Sequence, residues 1–391
     1  MANKWMTRLL KKDNAVKWEY NPFLHVLRTG SPSFDYIYGK THGLPLGYSE
    51  VFWGPPKGGK SLAVYMKIGQ LHQSDPNAIA ILFSTEMRAG LQLTPLMRKQ
   101  YGIDDDRLVI YETNKPDEIF DHIEGDIKKD LQDGMPLKYV AIDSITNVLG
   151  RRTLNADSIM TQQIGDQAKT IQDSLAMVQG TLRRHKVALS LVAQARAELD
   201  QTEIMRGNKL KMAGAWALQH FAEYFIFVEQ NRSKDGKTDL LDQKFEDESK
   251  TDVMGHAEKT AHKIRVTMKG NSTGVPGRVG QFTLDYYEGI TNVYEEAFLL
   301  GVGQGIVLRP NNRTYLVPEY PTKGENTKFG SREDFILALK GNPDLCNEIF
   351  KRVRGLDFDA MESGRPAPSG IRESDSEVGL REDNSLQGKE D

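Results

Sequence analysis

The chain has 391 residues, 27% of them charged and 39% hydrophobic, with a formal net charge of −3, which is enough for one sizeable core and a smaller module. No apolar run approaches the ~20 residues needed to cross a bilayer, and no long apolar stretch with a small-residue cleavage site follows the basic opening Met1 to Lys12. Cys346 is the single cysteine, so an internal disulfide and a cysteine-based metal site are excluded and the expected compartment is the reducing cytoplasm.

The charge is unevenly spread. From Leu356 to Asp391 ten Asp/Glu oppose four Lys/Arg, a net of −6, which leaves +3 for everything before it. In chain order, residues 1–27 predict a helix-bearing arm with Trp5, Met6, Leu9 and Leu10 on one apolar face, to be packed on its own domain or on the next copy of the protein. Gly30 and Pro32 mark a turn before a helix, and Gly43 to Gly47 a second turn before a strand.

That strand, Val51 to Trp53, runs into Gly54-Pro55-Pro56-Lys57-Gly58-Gly59-Lys60-Ser61 and then the helical opening Leu62 to Met66. Strand, glycine loop and helix in this order form a P-loop in its required setting. Glycines let backbone amides close around a phosphate, and the helix N-terminus adds its dipole and free N–H groups. Lys60 would reach the β/γ-phosphates of ATP and Ser61 the Mg²⁺; Gly54 to Leu62 form the expected nucleotide-binding set.

Further apolar runs at Ile79–Phe83, Leu108–Tyr111, Tyr139–Ile142, Val187–Val192 and Phe225–Val228 read as strands buried on both faces. Between them lies a long helix marked by Ile164, Ala168, Ile171, Leu175, Val178 and Leu182. Such alternation predicts an α/β fold with a mostly parallel central sheet. Residues 230–259 turn polar and read as an exposed excursion. Ile264–Met268 and Val279–Tyr287 alternate as an antiparallel pair. A small α+β module is expected over 293–355, with a helix at Tyr294–Leu300, a hairpin near Ile306–Val317 and helices at Arg332–Leu339 and Pro343–Arg354. The acidic tail over 356–391 is expected to be disordered.

Asp143 closes its strand at the carboxyl edge, where it would complete the Mg²⁺ shell. Glu86 follows the neighbouring strand and is the candidate for activating water. Gln194 ends a third strand, where its amide would report on a γ-phosphate. The basic stretches after Asp143 (Arg151, Arg152) and after Gln194 (Arg196, Arg206, Lys209, Lys211) are either solvent-facing loops or two arms converging on a polyanion. His256 and His262 lie in a polar stretch without metal-ligand spacing.

The order of these parts resembles the RecA family of recombinases from Leu27 to the acidic end. The resemblance is carried by Leu27-Arg28-Thr29-Gly30-Ser31, Gly43-Leu44-Pro45-Leu46-Gly47, the P-loop, Thr85-Glu86-Met87, Tyr139 to Ser144, Val192-Ala193-Gln194, Gly341-Asn342-Pro343-Asp344 and Glu348 to Val353. It implies a RecA-type P-loop ATPase core over 28–292 and a C-terminal domain over 293–355 that contacts duplex DNA. It also implies a helical filament on single-stranded DNA with ATP between protomers and Lys269 approaching the γ-phosphate from the neighbour. Residues 150–163 would be the first DNA-binding loop and 195–213 the second. Ile164 joins the implied DNA contacts beside the first loop, and Ile204 or Met205 is the apolar wedge of the second. A homologous duplex, a single-strand-binding protein and a loading mediator are the implied partners.

Some positions depart from the family pattern. Gln219 and His220 stand where a glycine pair followed by Lys and Phe is usual, the second loop lacks an aromatic, and Lys269 is alone where bacterial members carry two lysines. Such departures suit a phage-encoded member. Two other readings keep the ATPase core: a recombination mediator or filament regulator without strand exchange, and a ring helicase.

Overall fold

The computed structural model describes residues 8, 25–154, 165–206, 209–272, 274 and 276–363. Most of the arm expected over 1–27, and Ile164, lie outside the described residues.

Val26–Leu27 (β1) and Leu44–Pro45 (β2) pair antiparallel ahead of the core. The first core strands are Ser49–Gly54 (β3), Ile79–Ser84 (β4), Leu108–Tyr111 (β5), Leu137–Asp143 (β6), Ala188–Ala197 (β7), Leu210–Met212 (β8) and Tyr224–Gln230 (β9). A separate hairpin of Glu246–Thr251 (β10) and Ala257–Lys259 (β11) follows, and then Ala261–Asn271 (β12), Val279–Asp285 (β13) and Gly289–Thr291 (β14) rejoin the sheet. The order is β14-β13-β12-β9-β3-β7-β6-β4-β5, with β8 antiparallel to the end of β7. From β9 to β5 every neighbour is parallel; β12 to β14 are antiparallel.

Alternation along the strands sends residues to two apolar layers. Phe52, Leu82 and Ala141 pack with Lys60–Ser74 (α2) and with Pro32–Tyr36 (α1), while Val51, Ile81 and Val140 pack with Asp166–Arg184 (α3). Helix α1 forms because Ser31 caps it, accepting from the Phe34 amide at 3.1 Å, and Pro32 starts it. Helix α3 buries Ile171, Leu175, Val178 and Leu182 of the predicted stripe, whereas Ala168 in its first turn is exposed.

One charged pair lies in the first layer. Lys67 on α2 and Glu50 on β3 are fully buried with Nζ 3.1 Å from Oε1. Glu50 also accepts the hydroxyls of Ser190 on β7 and of Tyr38, so one carboxylate ties two strands, a helix and the chain entering the core. Nothing in the sequence marks this, because a Lys in an amphipathic helix ordinarily faces water.

The C-terminal module has its own core. Val293–Gly303 (α4), Tyr315–Pro318 (β15), Asn326–Phe329 (β16), Arg332–Gly341 (α5) and Pro343–Ser363 (α6) surround Phe298, Val317, Phe335 and Ile349. It joins the sheet core through two buried acids. Glu295 pairs with Lys263 at 2.8 Å, and Glu296 Oε2 accepts from Ser31 Oγ and the Ser33 amide, both at 2.7 Å.

Several sequence expectations need correcting. β5 is an edge strand rather than one buried on both faces, with Val109 42% and Ile110 37% exposed. The polar excursion over 230–259 carries the β10–β11 hairpin. The module's hairpin is β15–β16, later than 306–317; only the single bridge Leu308 to Leu316 falls in the expected span. The last helix runs to Ser363, so the boundary placed at 356 cuts through a helix.

Two predictions follow from the buried charges. Lys67→Ala leaves Glu50 uncompensated and is expected to cost about 3–5 kcal/mol, whereas a joint Lys67→Met, Glu50→Gln change should cost much less; urea titrations of both variants check this. Burial lifts the Glu296 carboxyl from 4.5 to about 8, against the Ser31 and Ser33 hydrogen bonds that pull it down. Because the folded value exceeds the unfolded one, the native state retains a proton that the unfolded chain releases. The contribution of this group to stability is therefore fully present below pH 4.5 and is lost as pH rises through about 8. Glu296→Gln should flatten the urea midpoint across that window.

Candidate nucleotide and nucleic-acid site

Parallel register fixes the site's floor. Gly54 stands opposite Gln194, Ser84 opposite Asp143, and Asp143 opposite Val192, so the ends of β3, β4, β6 and β7 share one edge. The loop from Gly54 to Gly59 folds over the end of β9. A Cβ on Gly54, whose φ is 153°, would lie 2.1 Å from the Val228 carbonyl oxygen, and one on Gly58 2.7 Å from the same atom. Only glycine permits that approach.

Pro55 and Pro56 have no N–H, so the loop's donors are the amides of Lys57, Gly58 and Gly59 and of the first turn of α2. Gly58 N–H is turned back to Pro55 O at 3.2 Å. Leu62 contributes through its backbone alone, since its side chain is buried in the core. Lys60 Nζ donates to the carbonyls of Gly54 at 3.1 Å and Pro55 at 2.7 Å.

Asp143 is hydrogen-bonded by the Ser61 hydroxyl; burial raises its pKa, Glu86 adds to the rise, and Ser61 and Lys60 oppose it. Burial lowers the Lys60 pKa, against the pull of Asp143 and Glu86. A cation beside Ser61 and Asp143, together with phosphate against Lys60, would reverse both penalties, so the donor set fits a magnesium triphosphate.

Glu86 follows β4 and is held from three sides. Its Oε1 accepts from Asn147 Nδ2 at 3.0 Å and from Gln194 Nε2 at 3.1 Å, and its Oε2 lies 3.2 Å from Arg88. The stretch is anchored by Thr85, whose amide donates to Asp143 O and whose hydroxyl bridges to Ser144 O, each at 2.8 Å. The sequence had pointed to Glu86 and Gln194. It had not pointed to Asn147 or Arg88, whose only signal was nearness to Asp143 and to Glu86.

The structure brings the P-loop, Asp143, Glu86 and Gln194 together, and it places the basic residues less simply. Arg151 begins the helix Arg151–Leu154 and is paired with Asp117 at 3.0 Å and Asp121 at 2.7 Å, and Arg152 is also engaged. The second expected loop is a hairpin: β7 runs on to Ala197, β8 pairs with it, and the short helix Gln201–Met205 lies between. Within it Lys211 pairs with Glu198 at 3.0 Å and Arg206 with Glu203 at 2.7 Å. Arg196 and Lys209 are exposed, Met205 is 84% exposed and Ile204 37%. Lys269 on β12 is exposed, its ammonium 5.7 Å from the centre of the Phe227 ring.

A parallel sheet with a glycine loop entering α2 and an acid closing the adjoining strands defines a P-loop nucleotide-binding protein. The chain belongs to the RecA family: the family model for the RecA N-terminal domain matches residues 12–291. It is similar to the proteins called RecA of Thermotoga neapolitana (23% identical, covering 85% of this chain and 84% of the relative), of Thermotoga maritima (24%, 85% and 82%) and of Streptomyces avermitilis (22%, 85% and 77%). No described helix is long and apolar enough to cross a membrane.

Lys60→Ala should abolish binding of a fluorescent ATP analogue while the melting temperature stays close to that of the unsubstituted protein, because a lysine reaching only loop carbonyls adds little to packing.

Proposed function

We propose that the chain is an ATP-dependent DNA recombinase, which forms a filament on single-stranded DNA and catalyses homologous pairing and strand exchange as a DNA-dependent ATPase. The observation that carries this reading is the shared sheet edge. Gln194, the residue placed to sense a γ-phosphate, touches Glu86 and also begins the hairpin that bears Arg196, Lys209 and Met205.

In this scheme Lys60 and the loop amides hold the triphosphate, and Ser61 and Asp143 hold Mg²⁺, which neutralises phosphate charge when bound. Glu86 orients the attacking water. Gln194 turns from Glu86 toward the γ-phosphate, and the hairpin it begins takes the shape that grips single-stranded DNA. Arg151, Arg152, Ile164, Arg196, Ile204, Met205, Arg206, Lys209 and Lys211 supply the contacts. Residues 1–27 and Lys269 meet neighbouring protomers, and the module beginning at Val293 meets the duplex. Single-strand-binding and loading proteins would work on the same filament.

One observation favours the mediator as the second reading. Arg151, Arg206 and Lys211 are each paired with acids of this chain, so DNA has to compete for them. A joint-molecule gel with homologous single- and double-stranded DNA separates the readings. Product that requires ATP supports the recombinase, tight binding without product supports the mediator, and unwinding of a forked duplex supports a helicase.

Glu86→Gln should retain ATP binding and filament formation while hydrolysis falls about a hundredfold or more, the usual scale for a lost general base. Normal turnover in a phosphate-release assay would place the base elsewhere.

A further inference from the structure

Two amides, one from each expected DNA-binding stem, donate to the same oxygen of Glu86. Gln194 opens the β7–β8 hairpin, and Asn147 ends the turn Ile145–Asn147 that leads from Asp143 to Arg151. The backbone around Asn147 is gripped from the far side of that stem. Gln167, in the first turn of α3, donates to Thr146 O at 2.9 Å and Val148 O at 2.7 Å. Two further staples close the stem: Thr153, through its amide and hydroxyl, onto Asp166 at 3.0 and 3.1 Å, and the Arg151 amide onto Thr170 at 3.1 Å. The turn itself is anchored in the core, with Ile145 and Val148 fully buried.

We infer that Asn147 is a positioning residue: with Gln167 holding its turn, it conveys the state of the first stem to Glu86, in parallel with Gln194 for the second. This rests on the reading of Glu86 as the group that orients water. A carboxylate that accepts from two amides at one oxygen and faces Arg88 at the other has little freedom to turn toward water. Rotation of Gln194 toward a γ-phosphate removes one donor, and movement of the stapled residues Arg151 and Thr153 against Asp166 and Thr170 adjusts the other. Hydrolysis is then fast only when nucleotide and DNA have both acted, a coupling through two discrete hydrogen bonds.

The test compares ATP hydrolysis with and without single-stranded DNA, and DNA affinity in a slowly hydrolysed ATP analogue, for the unsubstituted protein, Asn147→Ala, Asn147→Asp and Gln167→Ala. Coupling between linked sites usually amounts to at least about fivefold, so the stimulation ratio should fall about that much in both Asn147 variants. Affinity for DNA should stay unchanged. Asn147→Asp keeps the shape but replaces the donor with a second carboxylate beside Glu86, which also repels it, so a packing role alone would spare it. Gln167 is exposed, so Gln167→Ala folds, should move the ratio in the same direction, and decides the matter if an Asn147 variant does not fold. An unchanged ratio in these variants, or affinity lost in step with the ratio, overturns the inference while the ATPase reading stands. Hydrolysis by the unsubstituted protein that DNA does not stimulate overturns both.

Discussion

Parallel pairing of β3, β4, β6 and β7 is the constraint on which the rest depends. Because these strands point the same way and are held in register, Gly54, Ser84, Asp143 and Gln194 arrive at one edge. The P-loop, Asp143, Glu86 and Gln194 thus meet although they lie far apart in the chain. A slip of one residue would turn each side chain to the opposite layer. The register is protected by burial on both faces and by Glu50, which accepts from Ser190 on β7 and from Tyr38 and pairs with Lys67 on α2.

Buried carboxyl groups recur where parts of the molecule meet. Glu50 and Lys67 join β3 to α2, and Glu295 with Lys263, and Glu296 with Ser31 and Ser33, join the C-terminal module to the core. Such pairs add little net stability after desolvation, but they tolerate few alternative arrangements. Their placement between strand and helix and at the module junction fixes how those parts sit against one another.

Much of this was legible in the sequence because it rests on local pattern. Short apolar runs gave the strands, the 3.6-residue stripe gave α3, and the loop from Gly54 to Ser61 needed no tertiary information. Glu86, Gln194 and Asp143 were readable as polar residues closing apolar runs. What was hidden depended on contacts distant in sequence. Lys67 is an ordinary helix residue until Glu50 stands beside it. Arg151 reads as a free cation until Asp117 and Asp121 fold back on it, and Asn147 has only its nearness to Asp143 to mark it until β4 and β6 pair. The continuation of β7 into a hairpin was missed because Ala195 to Lys211 is polar enough to look like a loop, and the exposure of β5 because edge position is a property of the sheet.

On the proposed reading DNA contact is coupled to hydrolysis through Glu86, the common acceptor for residues that begin both stems. The most direct measurement is the affinity for a fluorescent single-stranded oligonucleotide at several salt concentrations, with a slowly hydrolysed ATP analogue and then with ADP. Tight binding that weakens steeply with salt in the triphosphate state, and is largely lost with ADP, is the expected result. Equal affinity in the two nucleotide states would contradict the account.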